Sequence, residues 1–113
     1  AIVILSSALW HGVTPEEIRQ VVEHLRVRYR LTSRRFADAE PFRCIGDPSV
    51  WIETLVDERG EDRVVFHAMV LRMRVAEECL RYSGNDYRHE LTGQREYAGP
   101  KEGIVDEAQR GGS

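Results

Sequence analysis

The sequence predicts a small α+β domain in which an antiparallel sheet carries its helices on one face. Two segments, 15–25 and 70–82, repeat apolar residues with the 3.6-residue period of an amphipathic helix. Between these segments the apolar residues recur at every second position, which is typical of strands. With one further strand at the start of the chain, the predicted order is β-α-β-β-β-β-α.

Local signals define the first strand and the first helix. Residues 1–5 are aliphatic and mostly β-branched, and they predict a short buried strand. Gly12 interrupts the chain after this strand, because glycine readily adopts a positive φ. The sequence TPEE at 14–17 is a capping box with proline at the first helical position. Four apolar residues then share one helical face: Ile18, Val21, Val22 and Leu25.

Four strands are predicted between the helices, at 26–31, 42–45, 50–56 and 63–69. A polar loop at 33–41 follows the first of them, and a charged hairpin loop with Gly60 near its tip precedes the last. Strict alternation along the last strand divides its side chains into two sets. One face carries Val64, Phe66 and Ala68, and the other carries Val65, His67 and Met69.

The domain is predicted to span residues 1–82. Residues 83–113 hold six of the nine glycines and no sustained periodicity, so we expect a flexible polar tail. The longest uncharged run, at 1–10, is much shorter than the roughly 20 apolar residues of a membrane span, and no signal peptide is evident. A cytoplasmic protein is therefore expected. The two cysteines predict buried thiols and the histidines match no zinc pattern, so neither metal nor cofactor is predicted.

Arginine use is the most unusual feature of the composition. The net charge of the 113 residues is −3, yet only one of the 16 cationic residues is lysine. Five arginines lie between Leu25 and Ala37 without an intervening acid: Arg26, Arg28, Arg30, Arg34 and Arg35. Two interpretations remain open. The cluster is either a solvated strand edge that discourages aggregation or a surface that follows a nucleic-acid backbone through phosphate contacts.

Three residues are candidates for chemistry. His67 lies within the most apolar strand, where a half-buried structural histidine is the alternative. Arg72 follows it at the start of the last helix, and the two residue types suit phosphodiester chemistry as proton carrier and charge stabiliser. Glu53 is an acid within an apolar strand, where it either faces solvent, pairs with an arginine across the sheet or acts as a general base. His11 is expected mainly to shape the turn before Gly12.

Two motifs carry a family resemblance. HGVTPEEI at 11–18, followed by strands and then FHAMVLR at 66–72, resembles the BrnT-type toxins of bacterial type II toxin–antitoxin modules, within the RelE-like ribonuclease fold. Arg72, Glu78 and Tyr82 match the spacing of an arginine, an acid and a tyrosine in that family. The resemblance covers residues 1–82. Trp10 stands where the family often has lysine, and Val70 replaces a common proline.

The resemblance implies a toxin that cleaves mRNA without a metal, by attack of the ribose 2′-OH on the adjacent phosphate. A DNA-binding antitoxin would neutralise it, with a homodimer or a heterotetramer as the assembly. The implied roles are RNA-backbone contact for Arg28 and Arg30, proton transfer for His67, phosphoryl contact for Arg72, and a reserve base in Glu53. His11, Glu78 and Tyr82 are accessory candidates. The alternative is a non-catalytic protein- or RNA-binding module of the same fold.

Overall fold

In the part of the chain that the structure describes, five strands and two α-helices follow one another in the predicted order, which confirms the α+β class. A computed structural model describes residues 1–32 and 41–91 of the chain. The elements are β1 (Ile2–Ile4), α1 (Pro15–Glu23), β2 (Val27–Arg30), β3 (Pro41–Gly46), β4 (Ile52–Arg59), β5 (Asp62–Val70) and α2 (Met73–Ser83). Two short 3-10 helices are added at Ser6–Leu9 and Arg88–Leu91. The predicted loop that contains Arg34 and Arg35 lies almost wholly outside the described residues.

The strands form one mixed sheet in the order β1-β5-β4-β3-β2, so the prediction of an antiparallel sheet is wrong in one pairing. Strands β2 to β5 pair antiparallel, as successive hairpins require, but β1 pairs with β5 in parallel. Because β1 and β5 are far apart in the chain, no turn between them sets their relative direction. β1 is an edge strand with Val3 39% exposed, so the prediction of a buried strand is also wrong.

The two helices cover opposite faces of the sheet, which corrects the prediction that both lie on one face. Neighbouring residues of β3 show the division: Cys44 belongs to the apolar cluster under α1, and Ile45 belongs to the cluster under α2. β4 is buried on both faces from Ile52 to Asp57. A sheet whose centre is apolar on both faces requires a cover on each.

The start of α1 agrees with the prediction in detail. The backbone N–H of Glu17 donates to Oγ1 of Thr14 at 3.1 Å, and the backbone N–H of Thr14 donates to Oε1 of Glu17 at 2.9 Å. Gly12 has a φ of 83°, as the turn requires. A Cβ atom added to Gly46 on β3 would lie 3.1 Å from the Cα of Val21, so glycine allows α1 to approach the sheet closely.

A β-bulge at Phe66 changes the faces predicted for β5. Leu55 of β4 lies opposite His67, whereas the next residue, Val56, lies opposite Val65, so Phe66 is the extra residue. Val65 belongs to the cluster under α1, and His67 lies on the other face. The prediction that Val65 and His67 share a face is therefore wrong, because alternation does not continue through a bulge. The carbonyl of Phe66 accepts a hydrogen bond from Oγ of Ser7 at 2.7 Å.

Packing on the α2 face continues beyond residue 82. Tyr87 and Leu91 pack against the cluster under α2, and the Tyr87 ring lies 4.5 Å from the ring of Trp51. The rest of the predicted tail, residues 92–113, lies outside the described residues. Neither α-helix of the described ranges has the length and hydropathy needed to cross a bilayer.

Candidate functional site

Four residues lie in a row across the α2 face of the sheet. Tyr29 on β2 pairs with Arg43 on β3, which pairs with Leu55 on β4, which pairs with His67 on β5. Directly opposed residues project to the same face, so polar groups from three strands come together here. Glu53 lies on this face as well, since it is two residues from Leu55 on β4.

Glu53 is the buried centre of the site. Its side chain has no exposed surface, and Oε1 lies 3.1 Å from Nε2 of His67. A carboxylate removed from water is stable only where charged or polar donors surround it. His67 is one such donor, and its side chain is 21% exposed, so it connects the buried acid to the surface.

Arg72 supplies the other donors to Glu53. Nη2 donates to Oε1 at 2.6 Å and Nε donates to Oε2 at 3.1 Å, which is a two-point contact between a guanidinium and a carboxylate. The backbone N–H of Arg72 also donates to Oε2, at 3.0 Å. Arg72 is the extended residue before α2, so this bond uses an N–H at the end of the helix that has no partner within it. Glu53 thus fixes the side chain of Arg72 and the start of α2 together.

Arg43 stands between Glu53 and a second acid, Glu78 of α2. Its side chain is 5% exposed, and Nε donates to Oε1 of Glu78 at 2.9 Å. The same oxygen accepts a hydrogen bond from the hydroxyl of Tyr29 at 2.7 Å. Nη1 of Arg43 lies 3.6 Å from Oε1 of Glu53, which is within ion-pair range and too long for a hydrogen bond.

A groove of about 710 Å³ borders this cluster. His67, Arg43 and Arg72 line it from the sheet and from the start of α2, and Trp10 and His11 line it from the segment that follows the first 3-10 helix. The ring centroids of His11 and His67 are 5.6 Å apart, in an edge-to-face arrangement. With Arg74 of α2, two histidines and three arginines therefore border one groove.

The environment sets the charge of the site. Burial alone would raise the pKa of Glu53, but hydrogen bonds from His67 and Arg72 and the charge of Arg43 outweigh it, so the pKa lies below its ordinary value. Burial first, and then the neighbouring His67 and Arg72, lower the pKa of His11, although Glu53 opposes them. Near neutral pH, Glu53 is thus a carboxylate and His11 a neutral imidazole.

The structure brings together six of the residues that the sequence predicts for the site. Glu53, His67 and Arg72 are in direct contact, and His11 lies beside His67. The two accessory residues from α2 complete the group: Glu78 and Tyr82 both line the groove. Tyr82 is 56% exposed, with its ring 5.6 Å from the ring of Tyr29.

The predicted arginine cluster does not join this group. Arg28 and Arg30 lie opposite Cys44 and Phe42, on the α1 face of the sheet. The guanidinium of Arg28 lies 3.7 Å from the centre of the Phe42 ring and donates two hydrogen bonds to Glu58. The sheet separates these side chains from His67 and Arg72, so they cannot hold the same phosphodiester.

The remaining members of the arginine cluster are also apart from the groove or outside the described residues. Arg26 precedes β2 and lies over the ring of Trp51, on the α2 face, where it also pairs with Asp47. It is therefore separated from Arg28 and Arg30 by the sheet. Arg34 and Arg35 fall within 33–40, outside the described residues, and their assignment stays a prediction.

Two residues of the site, Arg43 and Tyr29, are not among those predicted from the sequence. The available signal was Arg43 itself, a charged residue between Phe42 and Cys44 in an otherwise apolar strand. Glu53 gives the same signal, since it too is a charged residue in an apolar strand. Tyr29 gave no such signal, because tyrosine is common in strands and its hydrogen bond reaches a helix 49 residues away.

No significant match to this chain is found among protein-family models, curated proteins or solved structures. Within residues 1–32 and 41–91, no three or more His, Cys, Asp and Glu side chains are placed to hold a metal ion.

Proposed function

We propose that the groove binds single-stranded RNA and that His11 and His67 transfer protons in cleavage of its backbone. One observation carries this function: His67 and Arg72 are held on one buried carboxylate, beside a second histidine, in a groove large enough for a nucleotide. Two imidazoles are suited to proton transfer near neutral pH, and guanidinium groups are suited to charge on phosphorus.

The reaction requires two proton transfers. His11, as a neutral imidazole, accepts the proton of the ribose 2′-OH while the 2′ oxygen bonds to the adjacent phosphorus. The bond between phosphorus and the 5′ oxygen breaks, and His67 in its protonated form gives that oxygen a proton. The products are a 2′,3′-cyclic phosphate and a 5′-hydroxyl. Arg72 stabilises the negative charge on the phosphoryl oxygens, since its side chain is one-third exposed beside His67.

Glu53 has a positioning role in this scheme. A fully buried carboxylate with a lowered pKa is a weak base, and both of its oxygens already accept hydrogen bonds. We therefore assign it to the orientation of His67 and Arg72. This replaces the role of reserve base that the family resemblance implied.

The biological setting that we propose rests on the motifs at 11–18 and 66–72. Their resemblance to BrnT-type toxins supports a cytoplasmic toxin of a type II module, restrained by a DNA-binding antitoxin encoded beside it. Expression without that antitoxin is expected to arrest growth, with loss of intact mRNA. Growth arrest that persists in the Arg72→Ala variant would contradict this setting.

The biochemical test uses purified protein and a labelled single-stranded RNA in the presence of EDTA. We expect cleavage with a 2′,3′-cyclic phosphate end, and no cleavage of a matched 2′-O-methyl RNA, which lacks the attacking hydroxyl. Loss of a proton-transfer group costs about 100-fold or more, so His67→Ala and His11→Ala should each reduce the rate by that factor. The matched control is His24→Ala, because His24 is exposed at the end of α1 on the other face.

The outcomes separate the two function classes. Intact RNA at micromolar protein contradicts the enzyme. If the same protein binds the 2′-O-methyl RNA and the Arg72→Ala variant does not, the groove belongs to the non-catalytic binding module. Equal loss of activity in the His24 variant would point to a folding defect instead of a lost proton carrier, and circular dichroism of each variant checks this directly.

A further inference from the structure

We infer that Glu78 and Tyr29 are positioning residues, which hold Arg43 away from Glu53 so that Oε1 of Glu53 remains bound to His67. The inference rests on the proposed function only for its effect on RNA cleavage. In the structure itself, two carboxylates compete for Arg43: those of Glu53 and Glu78. Neither acid belongs to the same strand as Arg43, because Glu53 lies on β4 and Glu78 on α2.

Oε1 of Glu53 is already saturated with hydrogen-bond donors. A carboxylate oxygen has two lone pairs in its plane, and Oε1 of Glu53 already lies within hydrogen-bond distance of Nη2 of Arg72 and Nε2 of His67. A third strong donor at this oxygen must displace one of these two. His67 is the weaker competitor, because Arg72 is also bound through Oε2 by two further hydrogen bonds.

Arg43 lies close to this oxygen without a hydrogen bond to it. Its Nη1 atom is buried and makes no hydrogen bond within the described residues, although Oε1 of Glu53 is only 3.6 Å away. Guanidinium N–H groups that are removed from water favour a carboxylate acceptor strongly. A further approach of less than 1 Å would complete a hydrogen bond to Oε1.

Glu78 and Tyr29 restrain the movement of Arg43 toward Glu53. Nε of Arg43 is bound to Oε1 of Glu78 at 2.9 Å, and the donors of a guanidinium have a fixed relative geometry. The Tyr29 hydroxyl holds the same oxygen at 2.7 Å, and burial together with the Glu78 hydrogen bond raises the pKa of Tyr29, so it remains a donor. Tyr29 and Glu78 thus set how close Arg43 can come to Glu53.

The test replaces the charge of Glu78 and keeps its shape. In Glu78→Gln the side chain can still accept from Tyr29, but the charge-assisted bond to Arg43 is lost, and Arg43 should move to Glu53. The ring ¹⁵N signals of His67, recorded at fixed pH on labelled protein, report the displacement of its Nε2 atom. The matched control is Glu77→Gln, since Glu77 is the exposed neighbour on the same helix.

We expect the His67 signals to move further in Glu78→Gln than in Glu77→Gln, with a smaller displacement in Tyr29→Phe. That second variant keeps the aromatic ring against Tyr82 and removes only the hydroxyl, so it tests the inference even if Glu78→Gln does not fold. Signals that coincide with those of wild-type protein in both variants would overturn it.

The catalytic readout separates this inference from the proposed function. Misplacing a reacting group by about 1 Å can cost on the order of 100-fold in rate, so Glu78→Gln should lower kcat at least tenfold with little change in KM. If His67 moves and wild-type protein cleaves no RNA, the positioning role stands and the proposed function fails. If wild-type protein cleaves RNA and kcat is unchanged in Glu78→Gln, the positioning role fails alone.

Discussion

Glu53 and Arg72 are joined by three hydrogen bonds, of which one comes from the backbone N–H of Arg72 at 3.0 Å and two come from its guanidinium. The contact connects the start of β4 to the residue immediately before α2, so one side chain supports both the site and the packing of a helix. Substitutions of Glu53 are therefore expected to affect stability and function together.

Glu53→Gln should destabilise the protein by about 3 kcal/mol at pH 7, because it leaves the buried Arg43 and the partly exposed Arg72 without their shared negative charge. Urea unfolding followed by circular dichroism measures this directly. Glu61→Gln is the control, since Glu61 is an exposed acid in the β4–β5 turn and its loss should change the stability by less than about 0.5 kcal/mol. Equal stability of wild-type protein and Glu53→Gln would show that the buried contact contributes nothing.

The lowered pKa of Glu53 also predicts a dependence of stability on pH. The unfolded chain binds a proton at this carboxyl near pH 4.5, whereas the folded chain does so only at lower pH. The contribution of Glu53 is therefore complete above about pH 4.5 and is lost as the pH falls through the folded value. Unfolding curves between pH 3 and 7 should show a shallower acid decline in Glu53→Gln than in wild-type protein.

His11 should add a second dependence at higher pH. Its pKa in the folded state lies below the ordinary value of 6.5, so the unfolded chain binds more protons than the folded chain as the pH falls through this range. Stability from the neutral imidazole is present above pH 6.5 and is lost below it. The loss between pH 7 and 5.5 should be smaller in His11→Gln. An unchanged slope would contradict the buried, neutral state of His11.

Gly46→Ala should destabilise the protein by about 1–3 kcal/mol, because the new methyl group meets the backbone of Val21 at 3.1 Å, where α1 crosses β3. Gly60→Ala provides a comparison with a different cause. Nothing lies within 4 Å of its added Cβ, but its φ is +61°, so backbone strain of about 1 kcal/mol is expected instead. A smaller loss at Gly46 than at Gly60 would contradict the close approach of the helix.

The two thiols are expected to be unreactive in the folded protein. Cys44 and Cys79 are both buried and free, on opposite faces of the sheet. Burial raises the pKa of Cys44 to about 11, and burial also raises that of Cys79, so little thiolate forms near neutral pH. A thiol reagent should modify neither residue in native protein and both in denaturant. Rapid reaction of one thiol under native conditions would locate an opening of that face.

Local chemistry explains what could be predicted from the sequence. The capping box at Thr14 and Glu17 and the turn at Gly12 depend on residues within a few positions of one another, and both are present as predicted. Glu53, His67 and Arg72 were recognisable singly, because each is a polar residue in an apolar setting. The contact of Glu53 with His67 and Arg72 depends on the register of β4 against β5, which the sequence does not specify.

The predictions that failed depend on long-range features. Phe66 is an extra residue in β5, so Val65 faces α1 and His67 faces α2. No property of the phenylalanine marks it as the position of a bulge. The separation of Arg28 from His67 has a similar origin, since β2 and β5 are at different places in the sheet and alternation along one strand says nothing about the face of another.

The Ser7–Phe66 hydrogen bond has a consequence for the order in which the groove forms. It joins residues 59 positions apart, and it fixes the 3-10 helix that precedes His11 against the strand that contains His67. Contacts of such long sequence separation carry a high loop-closure cost and delay folding. Because His67 lies in β5, the two imidazoles meet only after β5 has been synthesised and docked beside β1, so the proposed activity would arise only with the finished fold.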